Sequence, residues 1–322
     1  MITIFAALAG GIGIDLLLGD PPNRYHPVAW LGKIIGFFVP QLKGGAGASE
    51  KARGTIFAIG IVVVTGLAAH LLAYAAMYLA GALAVAVVSA LILKVAIAVR
   101  GMEKHSKTIT DCLESGDLAG ARRNLAMIVR RRTDDLGEQH ILSATIECIG
   151  ESTVDGITGP VFYYSLLGPG GALAYRTVNT LDSMVGYSDE YYKNIGWMSA
   201  RLDMAANYMP ARITAFLMVL SARMLGADWK NSLHALQRDH AKTSSPNAGY
   251  PMATMAGALR IRLEKIGHYA LGDEQELATL EKCRTAISIM KLTTLLFCLL
   301  VSVPAIALLY LAGWWRILLG IP

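Results

Sequence analysis

Apolar residues in this chain run in long blocks, and the polar residues gather between them. A helix that crosses a bilayer needs about 20 mainly apolar residues. Three blocks exceed or approach that length: Thr55 to Ala80, Leu83 to Val99 and Ile287 to Ala312. The N-terminal block Ile2–Gly19 is interrupted by Asp15, which makes it a fourth, weaker candidate. Gly81 lies between two of the blocks and predicts a tight helical hairpin. Lys94, near the end of its block, is expected to snorkel its amine to the interface. His70, near the middle of another, is expected to hydrogen-bond between helices rather than to act as a ligand. A fifth block, Ile213 to Leu225, is bracketed by Arg212 and Arg223 and predicts a core or re-entrant helix. The pattern defines an all-α, polytopic integral membrane protein. Residues 1–100 form an N-terminal membrane region with a polar loop at 20–53, residues 101–286 a large helical region, and residues 287–322 a C-terminal membrane helix.

Lysine and arginine set the orientation. Arg24, Lys33, Lys43, Lys51 and Arg53 follow the first block and none sits at the Gly81 turn, so the turn is expected outside and residues 100–207 in the cytoplasm. Composition agrees with a membrane chain: 16% of residues are charged, against roughly a quarter in soluble domains. The first block has no basic flank or small-residue cleavage site, so it is expected to be retained. A formal charge of +5, with basic clustering confined to Arg130–Arg132, argues against a nucleic-acid partner. The four cysteines show no metal-ligand spacing and read as free thiols.

The region between Arg100 and Asn207 is amphipathic. On its helix from about Thr133, His140, Ala144, Glu147, Glu151 and Asp155 share one face. Stacked carboxylates repel unless a cation sits among them. The face is either solvated or a divalent-cation site, and oxygen-only ligands suit magnesium. The glycines of Gly168-Pro169-Gly170-Gly171 lack a following GKS or GKT and read as a turn rather than a phosphate cradle. In YRTVNTLDSMVGY, residues 175–187, five polar side chains fall within eight positions: Arg176, Asn179, Thr180, Asp182 and Ser183. Such density marks a solvated loop or the wall of a site. Asp203 and Asn207 are one helical turn apart, with Pro210 and Arg212 following. The turn Pro246-Asn247-Ala248-Gly249 leads into a helix N-terminus, either a plain turn or an anion site.

Taken together and in order, DLLLGDPPNRYHPVAWLGK, RRTDDL, IECIGESTVDGITGPVFYY, AYRTVNTLDSMVGY, ARLDMAANYMPARIT and SPNAGYPMATMAGAL resemble the adenosylcobinamide-phosphate synthase (CobD/CbiB) family of cobalamin biosynthesis. The resemblance covers residues 15 to about 260. Three positions depart from it: Ser152 stands for an asparagine, Met204 for an aspartate, and Arg131-Arg132-Thr133 for Arg-Asp-Thr. Met204 is therefore not expected at the reacting centre.

The resemblance implies a cytoplasm-facing catalytic region in the cell membrane. There the carboxylate of adenosylcobyric acid would be joined to the amine of an aminopropanol, normally its O-phosphate, with ATP and magnesium. Activation of the carboxylate, most simply as an acyl phosphate, precedes attack by the amine. On this basis Glu147, Glu151, Asp155 and Asp182 are candidate magnesium ligands, with Glu151, Asp155, Asp182 and His26 catalytic. Asp20, Arg176, Asn179, Ser183, Arg201, Asp203, Asn207, Arg212, Asn247 and Gly249 are expected to contact substrate. His26 is equally readable as structural. The implied partners are the corrinoid, aminopropanol phosphate, the bilayer and other enzymes of the pathway. The alternative is a non-catalytic corrinoid binder, transporter or sensor, whose mark would be ionisable groups in mid-membrane; only His70 and Asp15 qualify.

Overall fold

A few glycines decide where the helices bend. The computed structural model describes residues 1–321. In chain order its helices are α1 (Ile2–Leu18), α2 (Pro27–Leu42), α3 (Gly47–Ala96), α4 (Val99–Glu114), α5 (Leu118–Leu125), α6 (Glu138–Thr153) and α7 (Gly159–Val185). There follow α8 (Trp197–Met224), α9 (Trp229–Asp239), α10 (Gly249–Ala258), α11 (Leu280–Phe297), α12 (Val303–Leu311) and α13 (Trp314–Leu319). A π-helical turn, Val154–Thr158, follows α6. One antiparallel hairpin, β1 (Leu263–Lys265) with β2 (Tyr269–Leu271), breaks the all-helical pattern. Its strands are three residues each, too short for an alternating signal in the sequence.

The chain divides into two compact units built from separated segments. One comprises residues 1–98, 159–207 and 298–322; the other comprises 99–158 and 208–297. Residues 159–207 pack with the N-terminal helices.

In the first unit, small residues let helices approach closely. Gly81 has φ 77° and breaks α3 into two arms, at the expected hairpin position; an L side chain disfavours that conformation. Gly168, at φ 64°, breaks α7 in the same way. The Gly-Pro-Gly-Gly run is thus a break within a helix, and Gly170 presses on the Gly66 carbonyl and His70 of α3. Leu31, Ile35, Ala58, Leu181 and Val185 form a core between α2, α3 and α7. Lys94 does not snorkel. Its amine lies 2.5 Å from Asp20 and 3.6 Å from Asp15, because a buried ammonium beside two carboxylates is better compensated than one stretched toward water.

The second unit is built around α6, whose Ile146 and Ile149 are fully buried against Met252 and Met255 of α10 and Ile289 and Met290 of α11. Ile213 to Leu225 lies on the continuous helix α8, with Met218 and Ala222 in this core; it is a core helix. Two helical stretches, Gly47–Glu114 and Leu280–Leu311, are long and apolar enough to cross a membrane.

Candidate functional site

The densest polar cluster of the first unit lies between α7 and the first half of α8. Tyr175 and Asn179 are one turn apart on α7, as are Asp203 and Asn207 on α8, so each pair shares a helix face. The two faces meet. Tyr175 Oη donates to Asn207 Oδ1 at 2.5 Å. Asn207 Nδ2 donates to both carboxylate oxygens of Asp203 at 3.1 Å, and Asn179 donates to the same carboxylate. Tyr163 stacks on Tyr175 with ring centroids 5.3 Å apart and donates to the Ala206 carbonyl at 3.1 Å. Gly159 lacks a side chain where the Tyr175 ring lies against it. Asp203 is 8% exposed. Burial pushes its carboxyl up to about 6, even though the Asn207 and Asn179 amides favour the charged form. The carboxyl is buried, held by two amides and pushed toward neutral pH in proton affinity.

Other polar residues of YRTVNTLDSMVGY serve the helix itself. Thr180 Oγ1 donates to the Arg176 carbonyl and Ser183 Oγ to the Thr180 carbonyl. Part of the density is therefore hydroxyl back-bonding. Ser183 is exposed, and Arg176 and Asp182 are half-buried. Asp182 lies at the C-terminal end of α7, against Gly186. Arg201 is exposed, with its guanidinium over the Trp197 ring at 4.6 Å.

His26 caps α2 by accepting from the Val28 N–H at 3.2 Å, and its Nε2 lies 3.4 Å from Asp20. Burial works to raise the Asp20 carboxyl, but hydrogen bonds from His26 and Lys94 outweigh it and hold the group at about 2. Asp20 and His26 thus staple the GDPPNRYHP loop onto α3.

In the second unit, Glu147, Glu151 and Asp155 do not form a bare acidic stripe. Glu147 is buried, and its Oε1 accepts from Arg131 at 2.5 Å and from the Tyr269 hydroxyl at 2.8 Å. Its Oε2 is buried without a hydrogen-bond partner. Asp155 falls in the π-helical turn, where a wider turn shifts the register that four-residue spacing assumes. Glu151 and Asp155 are half-buried. Burial, and then the charges of Glu151, Glu147 and Asp155, push the Cys148 thiol up to about 12, so the thiol is inert and the local field negative. No group of three His, Cys, Asp or Glu side chains arranged to hold a metal occurs among the described residues.

Three further candidates converge in this unit. Arg212 donates to Asn247 Oδ1 at 3.2 Å and to the Tyr208 carbonyl at 2.6 Å. Its guanidinium lies 3.6 Å from the Tyr208 ring centroid and 4.4 Å from that of Tyr250. Asn247 is 3% exposed, and Gly249 packs directly on the His240 carbonyl. Ser245 Oγ accepts from the Asn247 and Ala248 N–H groups at 3.4 Å, so the turn satisfies part of its own donor set.

The sequence expectations did not include Tyr163, Tyr175 or Tyr269 as site residues. Tyr175 had a signal: it sits four residues before Asn179. Tyr269 had none, because its meeting with Glu147 depends on a hairpin 122 residues away.

These features define a helical protein with two apolar stretches long enough to span a membrane, and with buried, hydrogen-bonded polar clusters rich in carboxylate, amide and phenol. The family of CobD/Cbib proteins matches residues 8–299, and the chain belongs to that family. It is 40% identical over 291 residues, 89% of this chain and 93% of the relative, to the probable cobalamin biosynthesis protein CobD of Methanothermobacter thermautotrophicus. It is 39% identical over 269 residues, 81% of this chain and 84% of the relative, to cobalamin biosynthesis protein CobD of Dehalococcoides mccartyi. The corresponding protein of Leptospira interrogans is 37% identical over 297 residues, 90% of this chain and 94% of the relative. No solved structure matches.

Proposed function

We propose that this chain is an adenosylcobinamide-phosphate synthase, joining the carboxylate of adenosylcobyric acid to the amine of aminopropanol O-phosphate at the expense of ATP. Family membership supports a role in cobalamin biosynthesis. The observation that carries the finer reading is Asp203. An amine must lose a proton to form an amide, and a general base works best when its proton affinity lies near the working pH. Asp203, held by Asn207 and Asn179 and pushed up to about 6, has the chemistry to attract an ammonium group and to accept its proton. Tyr175 acts through Asn207, fixing the amide so that its NH2 faces the carboxylate.

Arg212, braced by two aromatic rings and Asn247, is suited to a phosphate or to the amide groups around a corrin ring. For magnesium, the described residues offer the sparse mode, in which one or two carboxylates share the ion with substrate phosphate. Glu151 and Asp155, in the negative field that Cys148 senses, would hold it. When bound, the ion would neutralise phosphoryl oxygens. Glu147 is already committed to Arg131 and Tyr269 and serves as a brace beside them. We place the protein in the cell membrane as a multi-pass protein with this chemistry facing the cytoplasm, on the lysine and arginine distribution.

The test is to incubate detergent-purified protein with adenosylcobyric acid, aminopropanol phosphate and Mg-ATP and to follow the amide product by mass spectrometry. Product that depends on both ATP and magnesium supports the reading. Stoichiometric corrinoid binding without product would overturn it in favour of a carrier or sensor.

A further inference from the structure

A second basic feature of the molecule adjoins the Glu147 brace. The loop after α5 and the β1–β2 hairpin, both in the second unit, face each other across the start of α6. Between them is a cleft of about 190 Å³ whose lining includes Arg131, Arg132, His140, Lys265, Ile266 and His268. Both walls are anchored. Thr133 Oγ1 donates to the Arg122 carbonyl at 3.0 Å and Arg122 Nε donates to the Leu136 carbonyl at 2.9 Å, which pins the loop. Arg131 donates to the Glu264 carbonyl at 3.0 Å as well as to Glu147, and Tyr269 ties the hairpin to the same Glu147. Gly267, at φ 76°, closes the hairpin turn.

Charge balance separates this cleft from the rest of the unit. Arg238, Arg260, Arg284 and Lys291 each lie against a carboxylate. In the larger open cleft of about 440 Å³, Arg238, Lys242 and Arg262 face Asp239, Asp273 and Glu264. In the smaller one only Arg131 is fully compensated. Arg132 lies 4.0 and 3.7 Å from Asp134 and Asp135, all at least 79% exposed, a pairing worth little in water. The side chains of Lys265, His140 and His268 have no ion-pair or hydrogen-bond partner among the described residues. The first turn of α6, with Gly137 as its N-cap and no side-chain cap, adds the positive end of the helix dipole, against which Glu138 is the acidic residue of that turn. Convergent basic side chains without acceptors call for an anion.

We propose that this cleft binds the phosphoryl end of a phosphorylated ligand, with Arg132, Lys265 and His268 as its grips. Its volume is below the roughly 300–1,000 Å³ of sites that enclose a drug-sized ligand, so it takes a charged end rather than a whole molecule. Ile266, 64% exposed at the hairpin tip, offers apolar contact to what projects beyond. The ligand class that combines a polyanion with a planar apolar body is the nucleoside polyphosphate, and in naming it this inference rests on the ATP-dependent reading above. An anionic lipid headgroup carries the same phosphoryl chemistry.

The experiment titrates inorganic tripolyphosphate into the full chain in neutral detergent by calorimetry, with ATP in a parallel arm. Saturable binding that weakens as salt rises is expected. Arg132→Gln with Lys265→Gln removes two charge-assisted contacts and should weaken binding by about tenfold or more. Lys230→Gln, which removes one positive charge outside the cleft, should leave it unchanged. Should the double variant fail to fold, His268→Gln alone at the exposed tip should still weaken binding. Absent binding, or full affinity in the cleft variants, would overturn the proposal. In nanodiscs, tripolyphosphate affinity should be the same in phosphatidylcholine with and without phosphatidylglycerol. Its loss only in the anionic bilayer would assign the cleft to a lipid headgroup and overturn the soluble ligand. Binding is read without turnover, so an inactive chain still tests the cleft, and an active one with indifferent cleft variants loses the cleft alone.

Discussion

Replacing Asp203 with asparagine should make the protein less active and, at high pH, more stable. The carboxyl is buried and pushed up to about 6 from 3.8. Each unit of displacement corresponds to about 1.4 kcal/mol, so the ionised carboxylate costs the fold about 3 kcal/mol above pH 7. The sign follows from linkage: a carboxyl with raised affinity in the fold binds its proton more tightly there, so the penalty is full above the folded value. It fades as pH falls from about 6 to about 4 and is absent below the unfolded value. Asparagine removes the charge but turns one acceptor into a donor facing Asn207 Nδ2, a mismatch worth about 1 kcal/mol. Asp203→Asn should therefore gain about 1–2 kcal/mol at pH 8 and lose about 1 kcal/mol at pH 4. Thermal unfolding in detergent at the two pH values measures this. Loss of a general base lowers turnover by about 10²–10⁴-fold, so amide formation should fall by at least the lower figure. Equal destabilisation at both pH values, or retained turnover, would refute the base and make Asp203 a structural hub.

Arg131→Gln should cost about 3–5 kcal/mol, because it leaves Glu147 buried and uncompensated; adding Glu147→Gln should recover much of that in a double-mutant cycle read by thermal unfolding. Gly249→Val should lower the melting temperature and not merely substrate affinity. Its Cβ would fall inside van der Waals contact of the His240 carbonyl, an overpacking cost of about 1–3 kcal/mol, and a variant of normal stability but weak substrate affinity would reverse this assignment. Asp239 is fully buried and accepts from Arg238, Lys242 and the Gly272 N–H. Burial raises its carboxyl, but those partners outweigh it and hold the group well below the usual carboxylate range. Its stabilisation is thus present above about pH 4 and lost as pH falls further, and Asp239→Asn should lower the unfolding temperature at pH 7 while flattening its fall in acid.

Helix positions were legible because hydrophobic blocks and left-handed glycines are local signals. The Gly81 break, the Gly168 turn and the core position of Ile213 to Leu225 all follow from short windows of sequence. What local windows miss is who faces whom. Glu147, Glu151 and Asp155 look like a bare acidic ladder until a distant arginine and a hairpin tyrosine close on Glu147. Lys94 looks like a snorkelling lysine until Asp15 and Asp20 are found beside it. The hairpin itself was invisible, since three-residue strands carry too little alternation to register.

The departures from the family pattern show what spacing does resolve. Asp203 and Met204 are neighbours on α8, and successive helix positions are turned by about 100°, the angle set by 3.6 residues per turn. Asp203 is therefore 8% exposed while Met204 is 47% exposed. A methionine at 204 leaves the Asn179–Asp203–Asn207–Tyr175 network whole, because none of its bonds passes through that position. Ser152 sits differently: its hydroxyl is 3.8 Å from the Cys148 sulfur on the helix that carries Glu147 and Glu151. On the proposed reading the two positions bear on different requirements of one reaction: Met204 leaves the proposed proton acceptor Asp203 untouched, and Ser152 falls beside the carboxylates proposed for the cation.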